Sequence, residues 1–371
     1  MAINSSRVLF ISGSYPPINC GIGYYMARLS KALEAAGYED FSILTSQDVD
    51  HDAHVLPWVS KWSLSAWPQV VRAIKQFEPE LVHIQYSSVR YGRRPFISLL
   101  PHLLKLRYPK LKLIVTLHEY HDASSLGRRR EDVLIAPIRE VIVSNDEDRR
   151  MLKAKFGKKK IEQIPIGPMV DIAKMSGDTK TKLAKRYNPK HKTLLMSWGI
   201  IDAAKGTDQL VLAMGNLPDC KLVIVGEYDE SVAFHRELRA LIDASSADIE
   251  WVGYLDNHDT SQLLQICDLV VLPYTQPVSL RRSTVLSSLL HGKPIVTTGP
   301  ASTPLKHRDN CYLIDSNDPD SLVNAIEELR NDPKLSRMLG ERAAKLAADF
   351  NWESIARKHV ELYKKISGQH T

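Results

Sequence analysis

The sequence predicts an α/β protein made of two doubly wound, Rossmann-like domains facing a cleft. Short apolar, β-branched runs alternate with segments of helical periodicity along most of the 371 residues. The alternation stops in a stretch rich in Lys, Thr, Asp and Asn at 171–192 and then starts again. A chain of this length suits two domains, each with its own core. We therefore expect one domain at 1–170 and a second at 171–350.

Apolar strands separated by helices are typical of a parallel sheet covered on both faces. In the first half, strands are predicted at 7–12, 41–44, 81–85, 112–117, 140–144 and 161–164, and helices at 23–36, 65–77, 95–106 and 146–156. In the second half, strands are predicted at 193–198, 221–225, 249–252, 269–273, 294–298 and 311–314. Helices follow at 208–214, 231–244, 260–266, 283–291, 319–329, 334–349 and 352–367.

The composition is that of a soluble globular protein, with 44% hydrophobic and 25% charged residues. The sequence has no uncharged apolar run long enough to suggest a membrane span. Its four cysteines are scattered and form no CxxC pair, so neither a disulfide framework nor a zinc site is indicated. These features predict a cytoplasmic protein.

Positive charge is concentrated in the first domain. Residues 1–170 hold 24 Lys and Arg against 17 Asp and Glu, whereas the remainder holds 25 against 26. Two blocks, 90–112 and 149–160, contain seven basic residues each and no acid. The first block also contains many leucines, a pattern that suits a helix lying on an anionic membrane. A helix with a buried apolar face and solvated lysines explains the same pattern, and nucleic acid is not expected as a partner because no such binding module accompanies the charge.

A glycine-rich loop follows the first predicted strand. Ser14-Tyr15-Pro16-Pro17 leads into Gly21 and Gly23, after which a helix begins. A helix N-terminus offers free N–H groups to an anion, and glycine lets a ligand approach the backbone closely. The loop lacks the third glycine of a dinucleotide fingerprint, so a plain structural turn explains it equally well.

Taken in order, a series of short segments resembles the retaining, nucleotide-sugar-dependent glycosyltransferases of family 4, which have the GT-B fold. The first half contributes the 14–25 loop, the strand ends Val82-His83-Ile84 and Thr116-Leu117-His118, Val143-Ser144 and Ile164-Pro165-Ile166-Gly167. The second half contributes Gly199 through Lys205-Gly206, Val225-Gly226, Gly253-Tyr254, Asp268 to Pro273, His291 to Val296 and Phe350-Asn351-Trp352-Glu353. Each segment is short, and their order and spacing make the resemblance.

The resemblance implies a glycosyltransferase that moves a sugar from a nucleotide-diphosphate donor to a glycan or lipid-linked acceptor with retention, as in polysaccharide biosynthesis. The first domain would face the acceptor, and the second would bind the donor. The helix at 351–371 would cross back to the first domain. No metal or other cofactor is implied, since lysine and backbone amides carry the diphosphate charge. A peripheral position on the inner face of the membrane is compatible with the basic blocks at 90–112 and 149–160.

Two departures from the family pattern affect this interpretation. The family's Glu-x7-Glu motif falls on Ser279 and Ser287, so both carboxylates are absent. The arginine of its phosphate loop falls on Ile200. Arg282 is a candidate to supply the missing cation.

The candidate site residues follow from these matches. We expect His118, Lys205 and Arg282 to be catalytic, with His118 contacting the donor sugar. The expected donor-binding residues are Gly21, Gly23, Gly199, Lys205, Glu227, Gly253, Tyr254, Ser279, Ser283, Thr284, Val285 and Ser287. Glu119 and His121 are further candidates for acceptor contacts.

Two other functions remain open at this stage. A nucleotide-sugar epimerase or phosphorylase on the same fold would need its own catalytic residues. A non-catalytic nucleotide- or sugar-binding protein is suggested by Ser279 and Ser287, although Lys205, His118 and the glycines argue for a working phosphate site. The fold alone does not decide between these functions.

Overall fold

A computed structural model describes residues 6–18, 20–50, 52–87, 91, 95–118, 120–121, 123–299 and 304–368. The chain divides into two compact units. The first comprises Met1–Gly167 and Trp352–Thr371, and the second comprises Pro168–Asn351. Each unit is built on a parallel sheet with helices between the strands, so the predicted fold class is confirmed.

The first unit contains a sheet of seven described strands in the order β3-β2-β1-β4-β5-β6-β7. These strands are β1 (Val8–Ser12), β2 (Phe41–Ser46), β3 (Val55–Val59), β4 (Leu81–Tyr86), β5 (Lys112–Leu117), β6 (Glu140–Val143) and β7 (Lys160–Gln163). Its helices are α1 (Gly21–Ala35), α2 (Trp67–Phe77), α3 (Phe96–Arg107), α4 (Ser125–Ile135), α5 (Asp146–Lys155) and, from the end of the chain, α13 (Trp352–Ser367).

Alternating strand residues of the first sheet form its two cores. One face, with Leu9 and Ile11, packs against α2, α3, α4 and α5. The other face, with Phe10 and His83, packs against Tyr363 of α13, and α13 lies beside α1. Both faces are therefore covered, as a parallel sheet requires.

The second unit contains six described strands in the order β10-β9-β8-β11-β12-β13. They are β8 (Thr193–Trp198), β9 (Cys220–Val225), β10 (Ile249–Gly253), β11 (Leu269–Leu272), β12 (Ile295–Thr298) and β13 (Tyr312–Ile314). The helices are α6 (Gly177–Tyr187), α7 (Thr207–Ala213), α8 (Ala233–Ala244), α9 (Asn257–Ile266), α10 (Ser283–Leu290), α11 (Pro319–Asn331) and α12 (Pro333–Ala347). Among the described residues, no helix combines the length and the apolar character needed to cross a membrane.

The structure adds three elements that the sequence analysis did not predict. Strand β3 contains Pro57 and lies at the edge of the first sheet, where a missing N–H is tolerated. Helix α4 carries three consecutive arginines, and helix α6 has no buried residue, so neither shows a clear apolar face in the sequence. Helix α6 lies inside the polar stretch at 171–192.

Candidate functional site

The loop after β8 holds a buried lysine. Lys205 ends a short 3₁₀ turn between β8 and α7, and its side chain turns back toward the end of the strand. The Lys205 Nζ donates a hydrogen bond to the backbone oxygen of Trp198 at 2.6 Å. Only 5% of Lys205 is exposed, although lysine is among the residues most rarely buried. Among the described residues, no carboxylate bonds this buried cation, which suggests that the site accepts an anion.

Gly199 fits the same site for a steric reason. Its φ is +111°, in a region that side chains rarely adopt. A Cβ at this position would lie 2.6 Å from Lys205 Nζ and 2.6 Å from Thr284 Cγ2. The close approach brings Lys205 from one loop and Thr284 from the start of α10 against the backbone of Gly199.

Tyr274 connects the two predicted cations. The Arg282 guanidinium lies over its ring at 4.5 Å from the centroid, and the Lys205 Nζ lies at 5.7 Å. The Tyr274 hydroxyl and Thr284 Oγ1 are 2.7 Å apart. Lys205, Arg282, Thr284 and Gly199 are thus brought together at the carboxyl ends of β8 and β11, where open α/β sheets bind ligands. We call this group, including Tyr274, the cation cluster.

Sequence reasoning did not select Tyr274. The available signal was its position two residues after β11, at the same sheet edge as the loop of Lys205. An aromatic residue in that place is usually read as part of the core, and Tyr274 is indeed 1% exposed. The contact of its ring with two cations is evident only from the three-dimensional structure.

The electrostatics of the cation cluster favour an incoming anion. Burial lowers the pKa of Lys205 to about 7, with a further lowering by Arg282 and an opposing effect of Asp202. Loss of water around the ammonium is therefore only partly compensated within the protein. A negative ligand would stabilise the protonated form and raise this pKa again.

The two serines at the family's carboxylate positions have different surroundings. Ser287 is fully buried, and its hydroxyl accepts hydrogen bonds from the backbone N–H groups of Met169 and Val170 at 3.0 and 3.1 Å. It holds the segment that enters the second unit, so its hydroxyl is engaged inside the fold. Ser279 is partly exposed and accepts a bond from Arg281 at 3.3 Å.

Helix α10 begins within the cation cluster. Ser283 and Thr284 form its first residues and are partly exposed, whereas Val285 is fully buried and its N–H bonds the oxygen of Arg282. The side chain of Val285 therefore contributes to the core. Of these three predicted donor-binding residues, Ser283 and Thr284 are the ones whose backbone amides lie at the start of the helix.

The loops after β9 and β10 lie next to each other. The Gly226 N–H bonds the oxygen of Gly253 at 2.9 Å, which places Glu227 and Tyr254 on neighbouring loops. Both side chains are exposed, Tyr254 by 64%. Gly253 has a φ of +80°. These predicted residues lie at the same sheet edge as the cation cluster.

His235 of α8 joins two of these loops and was missed in the sequence. Its Nδ1 accepts the N–H of Asp229 at 2.9 Å, so the ring proton is on Nε2, which donates to the oxygen of Ile201 at 2.8 Å. The histidine thereby connects the loop after β8 with the loop after β9. Its only signal in the sequence was a histidine in the first turn of a helix.

In the first unit, the glycine-rich loop packs tightly against α1. A Cβ on Gly23 would lie 2.6 Å from Ser14 Oγ and 3.2 Å from the Tyr15 nitrogen. Gly21 has nothing within 4 Å of its Cβ position. The structure thus explains Gly23 by close packing of the loop, whereas Gly21 has no such steric reason.

His118 lies at the carboxyl end of β5, on the first sheet. Its Nε2 is 3.0 Å from Gln85 Oε1, and its ring meets that of Tyr25 edge-on at 5.1 Å between centroids. Tyr25 is the fifth residue of α1, so His118 lies close to the segment that follows the glycine-rich loop. His118 is 8% exposed.

A second histidine follows His118. The Nδ1 of His121 is 2.9 Å from Asp148, a fully buried residue of α5 that also accepts the His121 backbone N–H. Burial opposes ionisation of Asp148, but the bonds from His121 and Asn145 lower its pKa overall. The other acceptor candidate, Glu119, lies outside the described residues.

Some acidic and histidine side chains of the second unit lie close together at the surface. Among the described residues, one group of three lies close enough to share an ion: Asp256, His258 and Asp259, all exposed at the start of α9. Asp256 already caps this helix through the Asp259 N–H. Acidic and polar residues at a helix start are explained by capping alone.

Comparison with known proteins shows what most of the second unit is similar to. Residues 178–346 match the model of the glycosyl transferases group 1. The lipopolysaccharide core biosynthesis glycosyltransferase LpsE of Rhizobium meliloti is 27% identical over 183 residues, 48% of this chain and 52% of LpsE. A D-inositol 3-phosphate glycosyltransferase of Mycobacterium tuberculosis is 23% identical over 240 residues, 62% of this chain and 49% of that protein. The chain spans about half the length of these curated relatives.

Solved structures match nearly the whole chain. Sucrose-phosphate synthase from Thermosynechococcus elongatus superimposes with a TM-score of 0.78 at 20% identity, covering 98% of this chain and 99% of the synthase. Anabaena HepE in complex with UDP superimposes with a TM-score of 0.75 at 17% identity, covering 97% of this chain and 100% of HepE. The predicted GT-B fold is thereby confirmed. The chain therefore has the GT-B fold of these glycosyltransferase structures, and its residues 178–346 are similar to the glycosyl transferases group 1.

Proposed function

We propose that this chain transfers a sugar from a nucleoside-diphosphate donor to a glycan or lipid-linked acceptor, with retention, as a family 4 glycosyltransferase. The cation cluster is the observation that carries the proposal. It holds one buried ammonium and one guanidinium on a single tyrosine ring, beside the first amides of α10. This arrangement of two cations and helix amides suits a diphosphate.

The chemistry follows from the charge that develops in the reaction. When the bond between the sugar and the diphosphate breaks, negative charge grows on the leaving phosphate oxygens. Lys205 and Arg282 would stabilise that charge, and the amides of Ser283 and Thr284 would add hydrogen bonds. Positioned electrostatic groups of this kind are usually the largest contribution to catalysis.

The remaining predicted residues take supporting roles in the proposal. His118 would contact the donor sugar, and the loop of Gly253 and Tyr254 would hold the base through its backbone. Glu227, next to that loop, would bind a hydroxyl group. The HepE structures with UDP and UDP-glucose make UDP the first nucleotide to test. The name of LpsE supports a glycan or lipid-linked acceptor.

A thermal-shift screen of the full chain against UDP, GDP, ADP and dTDP tests the proposal. A ligand that binds only the folded chain stabilises it by mass action, so at least one nucleotide should raise the melting temperature in a saturable way. The same nucleotide coupled to a sugar should then be consumed in the presence of an acceptor. Absence of any shift with all four nucleotides would contradict donor binding.

A non-catalytic binding protein is the second candidate, because the hydroxyl of Ser287 is engaged with Met169 and Val170 inside the fold. This chain thus lacks both carboxylates of the family motif, and Ser287 does not replace the second of them. Such a protein would show the nucleotide shift without consuming the nucleotide sugar, either by transfer or by hydrolysis.

Nucleotide affinity is predicted to depend on pH through Lys205. The ammonium form binds the diphosphate, and its pKa in the unliganded protein is about 7. Affinity should therefore fall as the pH rises above that value, by up to about tenfold per pH unit. The phosphates are already ionised in that range, so they add no opposite trend. Titration calorimetry with UDP checks the slope; a flat profile between neutral and alkaline pH would contradict it.

Nucleotide binding is also predicted to need no metal ion. Lysine, arginine and amides supply the positive potential that a divalent ion would otherwise provide. The melting-temperature shift caused by UDP should therefore be unchanged by EDTA. Loss of the shift on chelation, with recovery on adding Mg²⁺ or Mn²⁺, would contradict this assignment.

We further propose that the first unit binds an anionic membrane surface through α3 and α4. Of the five large hydrophobic residues described as exposed in this unit, four lie on these helices: Leu99, Leu106, Leu126 and Val133. The helices pack side by side, and His102 bonds the oxygen of Val133 between them at 2.8 Å. Exposed Arg107, Lys110 and Arg129 add positive charge nearby. Apolar side chains flanked by cations suit the interface of an anionic bilayer.

Several basic side chains outside α3 and α4 already have partners within the first unit. In the block at 149–160, Arg150 pairs with Asp146, Lys155 pairs with Asp132, and Lys159 caps the end of α4 through three backbone oxygens. These side chains are engaged locally. Arg90, Arg93 and Arg94 of the other block lie outside the described residues.

Leu106→Glu is predicted to weaken membrane binding. Leu106 is 84% exposed, so the change should not disturb folding, while it removes an apolar contact and adds a repelled charge. Binding to vesicles with phosphatidylglycerol should fall about tenfold, and wild-type binding should weaken as salt rises. Leu212→Glu, on the exposed face of α7 in the second unit, is the matched control. Equal recovery of the wild type in the supernatant with neutral and anionic vesicles at low salt would contradict the proposal.

A further inference from the structure

A row of buried polar side chains runs through one core of the first unit. It consists of Tyr363 on α13, His83 and Gln85 on β4, Thr116 on β5, and His118. All five are less than 9% exposed, and Tyr363 and His83 are fully buried. Polar groups are expensive to bury unless they bond one another, so their arrangement has to be accounted for.

These side chains form a continuous chain of hydrogen bonds. The Tyr363 hydroxyl is 2.7 Å from His83 Nδ1, and His83 Nε2 is 2.8 Å from Thr116 Oγ1. Gln85 Nε2 lies 3.1 Å from the same His83 nitrogen, and Gln85 Oε1 lies 3.0 Å from His118 Nε2. Helix α13 is thus connected to His118 through three hydrogen bonds in series, with Thr116 as a side branch.

The amide of Gln85 determines the direction of the bonds. An amide nitrogen donates and an amide oxygen accepts. His83 Nε2 is therefore an acceptor, and its ring proton lies on Nδ1 and is donated to Tyr363. At the other end, His118 Nε2 carries a proton and donates it to Gln85. The row therefore fixes both the ring orientation of His118 and the nitrogen that holds its proton.

The interior of the row stays neutral. Burial, together with the neighbouring His359 and His118, holds the pKa of His83 well below its ordinary value. Burial likewise lowers the pKa of His359, whose ring stacks on His83 at 6.0 Å, to about 4. Because His83 is neutral, one of its ring nitrogens donates a hydrogen bond and the other accepts. The hydrogen bonds of the row therefore all run in one direction.

We propose that Gln85, His83 and Tyr363 are positioning residues that hold His118 in its Nε2-protonated form. Through Tyr363, helix α13 then helps to position His118, in addition to packing on α1. The proposal rests on the proposed function in so far as His118 is taken to contact the donor sugar.

The test is nuclear magnetic resonance of the unliganded full chain labelled with ¹⁵N-histidine, at about pH 8, where free imidazole is neutral. The His118 signals are assigned by their disappearance in His118→Gln. We expect Nε2 at the shift of a protonated nitrogen and Nδ1 at that of an unprotonated one. The opposite tautomer of His118 would overturn the proposal.

Two variants and a matched control complete the experiment. Gln85→Leu should convert the single His118 tautomer into a mixture, and Tyr363→Phe should shift the His83 signals with a smaller change at His118. Tyr38→Phe removes another buried hydroxyl beside Tyr363, bonded to the oxygen of Ser6 and outside the row, and should leave His118 unchanged. An unchanged His118 tautomer in a folded Gln85→Leu variant would overturn the proposal. Because no ligand is used, this outcome is separate from failure of the proposed transferase activity.

Discussion

Lys205→Met is expected to weaken binding of UDP, the first nucleotide to test, and to slow sugar transfer, each by about 100-fold. The ammonium lies inside the cation cluster, where little water screens it, so its attraction to a diphosphate is larger than that of a surface lysine. Methionine keeps much of the shape of the side chain and removes the charge. Titration calorimetry and the transfer rate measure the two effects.

The same variant is expected to fold at least as stably as the wild type. Keeping an ammonium buried costs free energy, as the lowered pKa of Lys205 shows, and methionine avoids this cost. Functional residues often lower the stability of the fold that holds them. Lys221→Met is the matched control, since Lys221 is also buried in the second unit but pairs with Glu250 at 2.9 Å. Unchanged UDP affinity in a folded Lys205→Met variant would remove Lys205 from the site.

The fold could be predicted because its strands carry an unambiguous pattern. Runs such as residues 8–11 and 222–225 are buried on both faces and therefore apolar throughout. Helix α6 and strand β3 were harder to predict from the sequence. Helix α6 buries no residue, and strand β3 includes a proline, so neither follows the periodicity from which helices and strands are recognised.

The candidate site was predictable only in part. Short motifs indicated Lys205, Arg282 and His118, and the structure brings the first two onto one tyrosine ring. Nothing in the sequence pattern linked Tyr274 to those cations, because contact across a sheet edge depends on strand order. Likewise, His83 and Tyr363 are 280 positions apart and meet only because α13 packs on the first sheet.

The engagement of Ser287 also required the structure. The sequence placed this residue at a donor-binding position of the family, whereas its hydroxyl bonds the backbone of residues 169 and 170. A serine side chain is shorter than a glutamate and here stays within the fold. The function of the second family carboxylate is therefore not reproduced by this side chain.

Gly206→Ala is expected to destabilise the second unit by about 2–5 kcal/mol, from left-handed backbone strain of about 1–2 kcal/mol and overpacking of about 1–3 kcal/mol. Gly206 has a φ of +67°, and its Cβ would lie 2.0 Å from the backbone oxygen of Pro273. That oxygen belongs to the residue directly after β11 and cannot move far without disturbing the sheet. The new methyl group would therefore push the loop of Lys205 away from the strand that precedes Tyr274.

The loss of stability is best measured by the urea dependence of hydrogen exchange in peptides covering β8 and β11. Gly215→Ala is the matched control, because its Cβ would meet nothing within 4 Å and the change should stay within about 0.5 kcal/mol. The cation cluster depends on the distance between the two loops, so UDP binding should weaken together with stability. Equal stability of the two alanine variants would show that the loop of Lys205 can move away from β11 without cost. The close contact at Gly206 would then have no part in holding Lys205 beside Tyr274.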